Sequence, residues 1–393
     1  MKILMLSESL ALGGGAEKFT ATLGSELAKK GHEIVYLTYF DSESKYEFEG
    51  EYLSFEDDVQ GNFISKLLNF FVKPFEIKKI CDKKQIDVVI SVGEDPNIRT
   101  IISKFYGNKS KIIASHHLDP GIHLKHIVRG NEIKFLYPKA DKVVCVSKDI
   151  QKSLERDYGV DNALTIYNML DIDYCIKKSH EELQEEYKSI FKSGFVFINV
   201  GRLSYQKGQW FLLKSFKKVL SDYEDAKLCI LGDGELKQDL LELVKELKLE
   251  KNVFFLGNQK NIFPFLNNSS CFVLSSILEG FPLTLIEALS TNIPVISTDC
   301  KTGPKECLCT ELNLENSIEY PYFGEYGILT EPFTSKIDFK NSEEKLDASE
   351  KMLYQLMTKI IEDSELRKKY SKGLNRAKDF DVGKIVDEWE KLF

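Results

Sequence analysis

Apolar residues fall into short unbroken runs along this chain, each followed by a glycine-containing turn and then a stretch with helical spacing. The first run, residues 2–7, leads into Gly13-Gly-Gly-Ala-Glu-Lys-Phe19, then a helix to about Lys30, a stop at Gly31-His32 and a second apolar run at 33–39. That order predicts a βαβ unit. Further buried strands are predicted at 86–92, 111–115 and 141–147, with 165–171 a short strand leaving the first half. Residues 172–193 are polar and charged, which suits a linker with a helix. The pattern restarts with strands at 195–200, 226–231, 252–256, from Cys271, at 293–297 and at 327–330, and with a helix from about Gln209. Charged helices are predicted over 343–377. A last amphipathic segment, 382–393, contains Trp389. Apolar strands alternating with helices mean parallel sheets covered on both faces. The fold class is therefore α/β, with one domain over 1–175, a linker over 176–194 and a second domain over 195–377. No repeat of solenoid period and no low-complexity tract interrupts it.

Composition narrows the class without changing it. The 393 residues are 43% hydrophobic and 29% charged, a globular balance, and the net charge of −8 argues against nucleic acid as a partner. No run of eighteen apolar residues offers a membrane span, and the apolar start ends too early, at Glu8, for a signal peptide. The eight cysteines form no Cys-x-x-Cys pair, and Cys145, Cys229 and Cys271 fall in predicted strands. Reduced, buried thiols of a cytoplasmic protein are expected. Charge is uneven locally. Residues 41–58 carry eight acids and one lysine, a solvated loop or sheet edge. Residues 63–84 reverse the sign, with Lys66, Lys73, Lys78, Lys79, Lys83 and Lys84 among Phe63, Phe70, Phe71 and Phe75. Such a segment suits either a helix pair broken at Pro74 with lysines in water, or peripheral contact with an anionic membrane surface on the inner face of the cell membrane.

Candidate chemistry concentrates at 279–289, Glu-Gly-Phe-Pro-Leu-Thr-Leu-Ile-Glu-Ala-Leu. Pro282 suits a first helical position, and Leu283, Leu285, Ile286 and Leu289 follow with helical spacing. Glu279 then stands in the loop and Glu287 about a turn and a half into the helix. Free N–H groups at a helix start attract phosphate, whereas a carboxylate repels phosphate and accepts from sugar hydroxyls. A site that takes both is what a nucleotide-sugar requires; the plain alternative is a strand–helix unit with two surface glutamates. Arg202 and Lys207 share a strand-to-helix loop and offer a planar fork and a point charge for phosphate oxygens. Ligands of such sheets bind beyond the carboxyl ends of the strands. That rule brings in Gly93-Glu-Asp-Pro and His116 and His117, which follow strands directly, while the glycines at 13–15 let backbone approach a ligand at a helix start. Asp171-Ile-Asp173 spells Asp-x-Asp but sits in the linker. No metal cluster and no obvious acid/base carboxylate pair stands out.

Taken together, Gly201-Arg202…Lys207-Gly208, Gly232-Asp-Gly-Glu235 and Glu279-Gly-Phe-Pro…Glu287, with weaker support from Gly14-Gly15-Ala16-Glu17 and Tyr167-Asn168…Asp171, make the chain resemble the retaining glycosyltransferases of family 4. The resemblance covers essentially the full length. It implies the GT-B architecture: two Rossmann-like domains facing across a cleft, with a C-terminal helix, 378–393, crossing back to the first. It implies that Arg202 and Lys207 hold the donor diphosphate, that Glu279 binds hydroxyls of the transferred sugar and that Glu287 binds the ribose. Backbone groups of Gly280, Phe281, Pro282, Leu283 and Thr284 would cap phosphates and sugar. The loop from Gly257 and Asn258 to Asn261 would flank the base, Gly14 and Gly15 would approach the donor, and His116 would sit near the reacting sugar. Family members often carry an acid before this histidine; Ser115 stands there in this chain. The implied reaction retains anomeric configuration, needs no metal or other cofactor, and moves a sugar from a nucleotide-sugar, UDP-linked, to a saccharide or lipid-linked acceptor of cell-surface polysaccharide or glycoconjugate synthesis. Two other readings share the architecture: a non-catalytic partner subunit, and a sugar-nucleotide epimerase using Glu94, Asp95 or Asp119.

Overall fold

A computed structural model describes residues 1–12, 14–55, 63–120, 127–314, 316–333 and 346–393, the side chains of 63–69 and 127–129 excepted. Expectations for Gly13, the acids at 56–58, Phe63, Lys66 and the start at 343 lie outside these. The chain divides into two compact units, Met1–Met169 with Val382–Phe393, and Leu170–Asp381.

In chain order the first unit runs β1 (Lys2–Ser7), α1 (Gly15–Lys29), β2 (Glu33–Thr38), β3 (Glu51–Ser54), α2 (Phe63–Lys84), β4 (Val88–Val92), α3 (Glu94–Ser103), β5 (Lys111–His116), α4 (Ile127–Leu136), β6 (Lys142–Cys145), α5 (Lys148–Tyr158) and β7 (Ala163–Thr165). Its sheet has the order β3-β2-β1-β4-β5-β6-β7, every pair parallel. The central strands are buried along nearly their whole length, as strands covered on both faces must be. β3 lies inside the acidic run. It is an edge strand, where charge on exposed positions keeps the open edge from pairing further. The expected helix pair broken at Pro74 is instead one helix, α2, with Pro74 inside it. Proline removes one backbone bond, but Ile77 and Cys81 beyond it are buried, and that packing carries the helix through.

The second unit runs α6 (Ile172–Ser179), α7 (Glu185–Phe191), β8 (Val196–Val200), α8 (Gln209–Asp222), β9 (Lys227–Leu231), α9 (Lys237–Glu246), β10 (Val253–Gly257), α10 (Phe263–Asn267), β11 (Cys271–Leu274), α11 (Leu283–Ser290), β12 (Val295–Thr298), α12 (Pro304–Leu308), β13 (Tyr322–Phe323), β14 (Ile328–Thr330), α13 (Ala348–Glu362), α14 (Ser364–Tyr370) and α15 (Gly373–Ala377). The sheet order is β10-β9-β8-β11-β12-β14-β13, parallel except for the β13–β14 pair. The segment expected as linker is thus two helices of the second unit, and the chain changes unit at 169–170 rather than at 175. Leu170 donates to the Phe380 carbonyl at 2.9 Å, so its backbone is paired within the second unit. The strand expected at 165–171 stops at Thr165. Asp171 caps α6 by accepting from the Tyr174 N–H at 2.8 Å, which accounts for the first acid of the Asp-x-Asp string.

The last helix, α16 (Val382–Glu390), belongs to the first unit. Ile385, Val386 and Trp389 enter its core beside Phe19 and Leu23 of α1, with the Phe19 and Trp389 rings 5.8 Å apart. Lys30 reaches Asp387 and Glu390, and His32 reaches Glu390 at 2.9 Å. Those bonds, Lys30 first and His32 second, hold the Glu390 carboxyl below its ordinary range. All eight cysteines are buried and free.

Candidate active site

In the second sheet the strand order reverses between β8 and β11, since β9 and β10 lie to one side and β12 and β14 to the other. Ligands of open α/β sheets bind beyond the carboxyl ends at such a point. The loops that leave β8 and β11 carry the candidate residues, and the structure brings them together. Lys207 Nζ lies 2.5 Å from Glu279 Oε1, and Ser276 Oγ donates to the same oxygen at 2.6 Å. Both charged side chains are largely covered, 18% and 10% exposed, so neither charge is left alone in a dry site. Arg202, in the same loop as Lys207, is exposed.

Neighbouring loops are fastened in the order of their strands. Gly232 N–H donates to Gly257 O, Gly201 N–H to Leu231 O, Leu203 N–H to Asp233 O, and Ile277 N–H to Gln206 O, all between 2.8 and 3.0 Å. Ser275 Oγ donates to Lys207 O at 2.9 Å and Thr298 Oγ1 to Ser276 O at 2.6 Å. Two glycines permit this closeness. Gly208 has φ +58°, and a Cβ there would stand 2.4 Å from the Ser275 carbonyl oxygen; at Gly232, φ +132°, it would stand 2.0 Å from that of Gly201. Positive φ and backbone contact together exclude other residues.

Pro282 is the cap of α11 and not its first residue. The outcome is equivalent for the helix start: proline has no N–H, and no side chain caps the turn. The first N–H groups of a helix have no acceptor within it, and Leu283 and Thr284 supply them here. Thr284 Oγ1 is buried in the same turn without a hydrogen-bond partner among the described residues. Gly280, Phe281 and Pro282 form the loop between Glu279 and this turn, and Glu287 is buried on α11. On the other side of β8, Gly257 turns with φ +68° and Asn258 is exposed. Asn261 does not face that edge: its Nδ2 donates to Glu181 at 2.8 Å and to the Lys178 carbonyl at 3.2 Å.

Residues of the first unit are placed less as expected. Gly14 caps α1, but the Glu17 carboxylate folds over it, 1.8 Å from where a Cβ would stand. The start of α1 is thereby covered by an acid of its own first turn, an arrangement that opposes a phosphate at Gly14 and Gly15. His116 is not at an open strand end. It is fully buried, Nδ1 3.1 Å from the Tyr137 hydroxyl with the rings edge to face. His117 Nε2 lies 2.9 Å from Ser115 Oγ, and its ring packs on Phe19. Burial, and secondarily His116, pushes the His117 pKa down to about 3, so this ring is neutral at physiological pH. Asp119 is fully buried, and Asp95 is ion-paired with Arg99 at 2.9 Å.

A glycosyltransferase of Methanocaldococcus jannaschii, itself uncharacterized, is 43% identical over 92% of this chain and 93% of its own length. The chain belongs to the glycosyltransferases. Residues 13–174 match the family described as Glycosyltransferase Family 4, and 181–313 match Glycosyl transferases group 1. A Campylobacter jejuni enzyme, named as an N-acetylgalactosamine-N,N'-diacetylbacillosaminyl-diphospho-undecaprenol 4-alpha-N-acetylgalactosaminyltransferase, is 29% identical over 95% of this chain and 94% of its own. Anabaena HepE in complex with UDP has a TM-score of 0.74 at 17% identity, covering 100% and 99% of the two chains. Thermosynechococcus elongatus sucrose-phosphate synthase reaches 0.76 at 16%, covering 100% and 98%. Two parallel-sheet α/β units in this order are the GT-B fold.

Within this glycosyltransferase, the residues that sequence reasoning passed over are Ser275 and Ser276, fully buried at the end of β11, and Thr302. A polar pair closing an apolar strand is a readable signal. Thr302 gives none, because its partners lie some twenty residues away. Among the described residues, no helix is long and apolar enough to cross a membrane, and no group of three His, Cys, Asp or Glu is placed to hold a metal ion.

Proposed function

We propose that this chain transfers a sugar from a UDP-sugar to a saccharide or lipid-linked acceptor, with retention of anomeric configuration. The observation that carries the reading is the Lys207–Glu279 pair beside the uncapped start of α11, at the switch point of the second sheet. In this reading the α11 N–H groups and Thr284 Oγ1 take phosphate or sugar oxygens. Arg202 and Lys207 stabilise the departing diphosphate, Glu279 accepts from sugar hydroxyls, and Glu287 serves the ribose. Charge placed in advance where the leaving group develops it is an effective form of catalysis. The bond from the anomeric carbon to the diphosphate oxygen breaks, a bond from that carbon to the acceptor oxygen forms on the same face, and the acceptor's proton goes to the diphosphate. No metal enters this scheme.

The face of α2 that exposes Phe71, Val72 and Phe75 is the surface we assign to an anionic membrane, where a lipid-linked acceptor would reside. Lys79 and Lys83 are exposed there. Lys73, counted among the basic residues above, faces inward: it is 7% exposed, 3.2 Å from Glu76 and over the Phe55 ring.

A panel of UDP-, GDP-, ADP- and dTDP-sugars, with and without chelator, tests the donor reading through thermal shift and slow sugar release. A shift with one UDP-sugar, unaffected by chelator, is expected. Loss of activity with chelator and recovery with manganese would overturn the metal-free scheme. No shift with any donor would favour the non-catalytic partner subunit.

A further inference from the structure

The loop that carries Glu279 is held from beneath by the loop that leaves β12. Glu279 N–H donates to Lys301 O at 2.9 Å, and Thr302 N–H donates back to Glu279 O at 2.8 Å. Thr302 Oγ1 lies 3.1 Å from the same Glu279 carbonyl and 2.7 Å from the Gly280 carbonyl. Thr302 is 1% exposed, so these bonds are made out of water. Gly303 follows with φ +102°; a Cβ there would stand 2.7 Å from Pro282 Cδ and 3.1 Å from Phe281 Cα. Four consecutive residues, Glu279 to Pro282, thus rest on three, Lys301 to Gly303.

The supporting loop is itself anchored. Asp299 Oδ2 accepts from Tyr320 OH at 2.6 Å and lies 3.1 Å from Lys305 Nζ, while Asp299 N–H donates to Thr330 O at 3.0 Å. Asp299 precedes Thr302 and Lys305 follows it, so the cluster closes the loop across its base. Tyr320 belongs to the stretch between α12 and β13, a segment for which sequence reasoning found no role.

We propose that Thr302 is a positioning residue for Glu279, and that the Asp299–Lys305–Tyr320 cluster sets its height, so that this loop governs recognition of the transferred sugar and not of the nucleotide. The inference rests on the donor-site reading above. The Glu279 carboxylate is already directed by Lys207 and Ser276. Its backbone is fixed by Thr302, and a shift of that backbone would move the carboxylate relative to α11. Sugar contacts depend on this alignment, whereas the base and ribose do not.

Thr302→Val keeps shape and removes the hydroxyl; Thr302→Ser keeps the hydroxyl. Loss of one buried bond of this kind predicts about a tenfold fall in kcat/KM, measured with whichever UDP-sugar the wild-type protein uses. Kd for UDP alone, by calorimetry, should change less than about twofold on the same scale of effect. Thr302→Ser should restore activity, and Tyr320→Phe should lower kcat/KM in the same sense without weakening UDP. Wild-type activity in Thr302→Val, or parallel loss of UDP binding and activity in both Thr302→Val and Tyr320→Phe, would overturn the proposal. Should Thr302→Val fail to fold, Tyr320→Phe with the same two measurements decides. Failure of the wild-type protein to bind UDP would instead remove the donor-site reading, and the proposal with it.

Discussion

At the scale of single residues, the site is a set of charges whose positions are fixed by glycine and hydroxyl neighbours. Replacing Arg202 with alanine is expected to cut transfer while leaving the unfolding midpoint unchanged within error, since Arg202 is exposed. Adding Lys207→Ala is expected to abolish transfer and to lower the midpoint, because the covered Glu279 carboxylate loses its partner; wild-type rates in the double variant would remove the diphosphate assignment. Gly208→Ala should destabilise the second unit by about 1–3 kcal/mol, from the left-handed φ and the 2.4 Å approach to Ser275 O, as read by urea unfolding. His117 gives a pH dependence. Its pKa falls on folding, so its contribution is intact above about 6.5, where both states are neutral. Between about 6.5 and about 3 the unfolded chain takes the proton and the folded chain does not, and stability declines as pH falls. Between pH 7 and pH 5 the wild-type protein should lose more stability than His117→Gln, measured by urea midpoints. The meeting of Lys207 with Glu279 was legible in the sequence because each sits at a fixed offset from a turn or a helix start. Ser276 and Thr302 were not, because their roles are defined by carbonyls and carboxylates that only the fold brings near. The burial of His116 was hidden for the same reason: a strand-end position says nothing about Tyr137, twenty-one residues on, whose ring packs edge to face with it.

At the scale of elements, apolar runs were read correctly as strands, since a strand buried on both faces has an unmistakable composition. The errors fell where two tendencies compete. The acidic run, read as a solvated loop or sheet edge, does hold the edge strand β3, because an edge strand tolerates charge; the strand itself had no apolar run to announce it. α2 continues through Pro74 because tertiary packing outweighs one lost bond. The turn from polar to apolar at 195 looked like a domain boundary, whereas α6 and α7 had already joined the second unit. Predictions at this scale concern helices. Trp389→Ala should destabilise the first unit by about 3–5 kcal/mol, the usual range for a buried tryptophan, seen as a lower urea midpoint. For α2, Lys79→Glu with Lys83→Glu should weaken co-sedimentation with vesicles containing anionic lipid and leave kcat on a soluble acceptor unchanged; unaltered co-sedimentation would leave the helix as an ordinary surface of the domain.

At the scale of the whole molecule, two sheets with separate cores predict two steps in calorimetric unfolding. UDP at a hundredfold excess over its Kd should raise the step belonging to the second unit by an amount equivalent to about 2.7 kcal/mol, and leave the other in place. The first unit is discontinuous in the chain: its sheet is complete by Met169, yet Trp389 fills its core from the far end. During synthesis, the strands of this unit must therefore wait while more than two hundred residues are added, roughly 10–40 s at 5–20 residues per second. Throughout that interval, the apolar floor around Phe19 is open on the ribosome while the second unit is still being made. The enzyme's N-terminal half is the first to be translated and the last to be finished, which makes a nascent chain stalled short of Trp389 a natural client for holding chaperones.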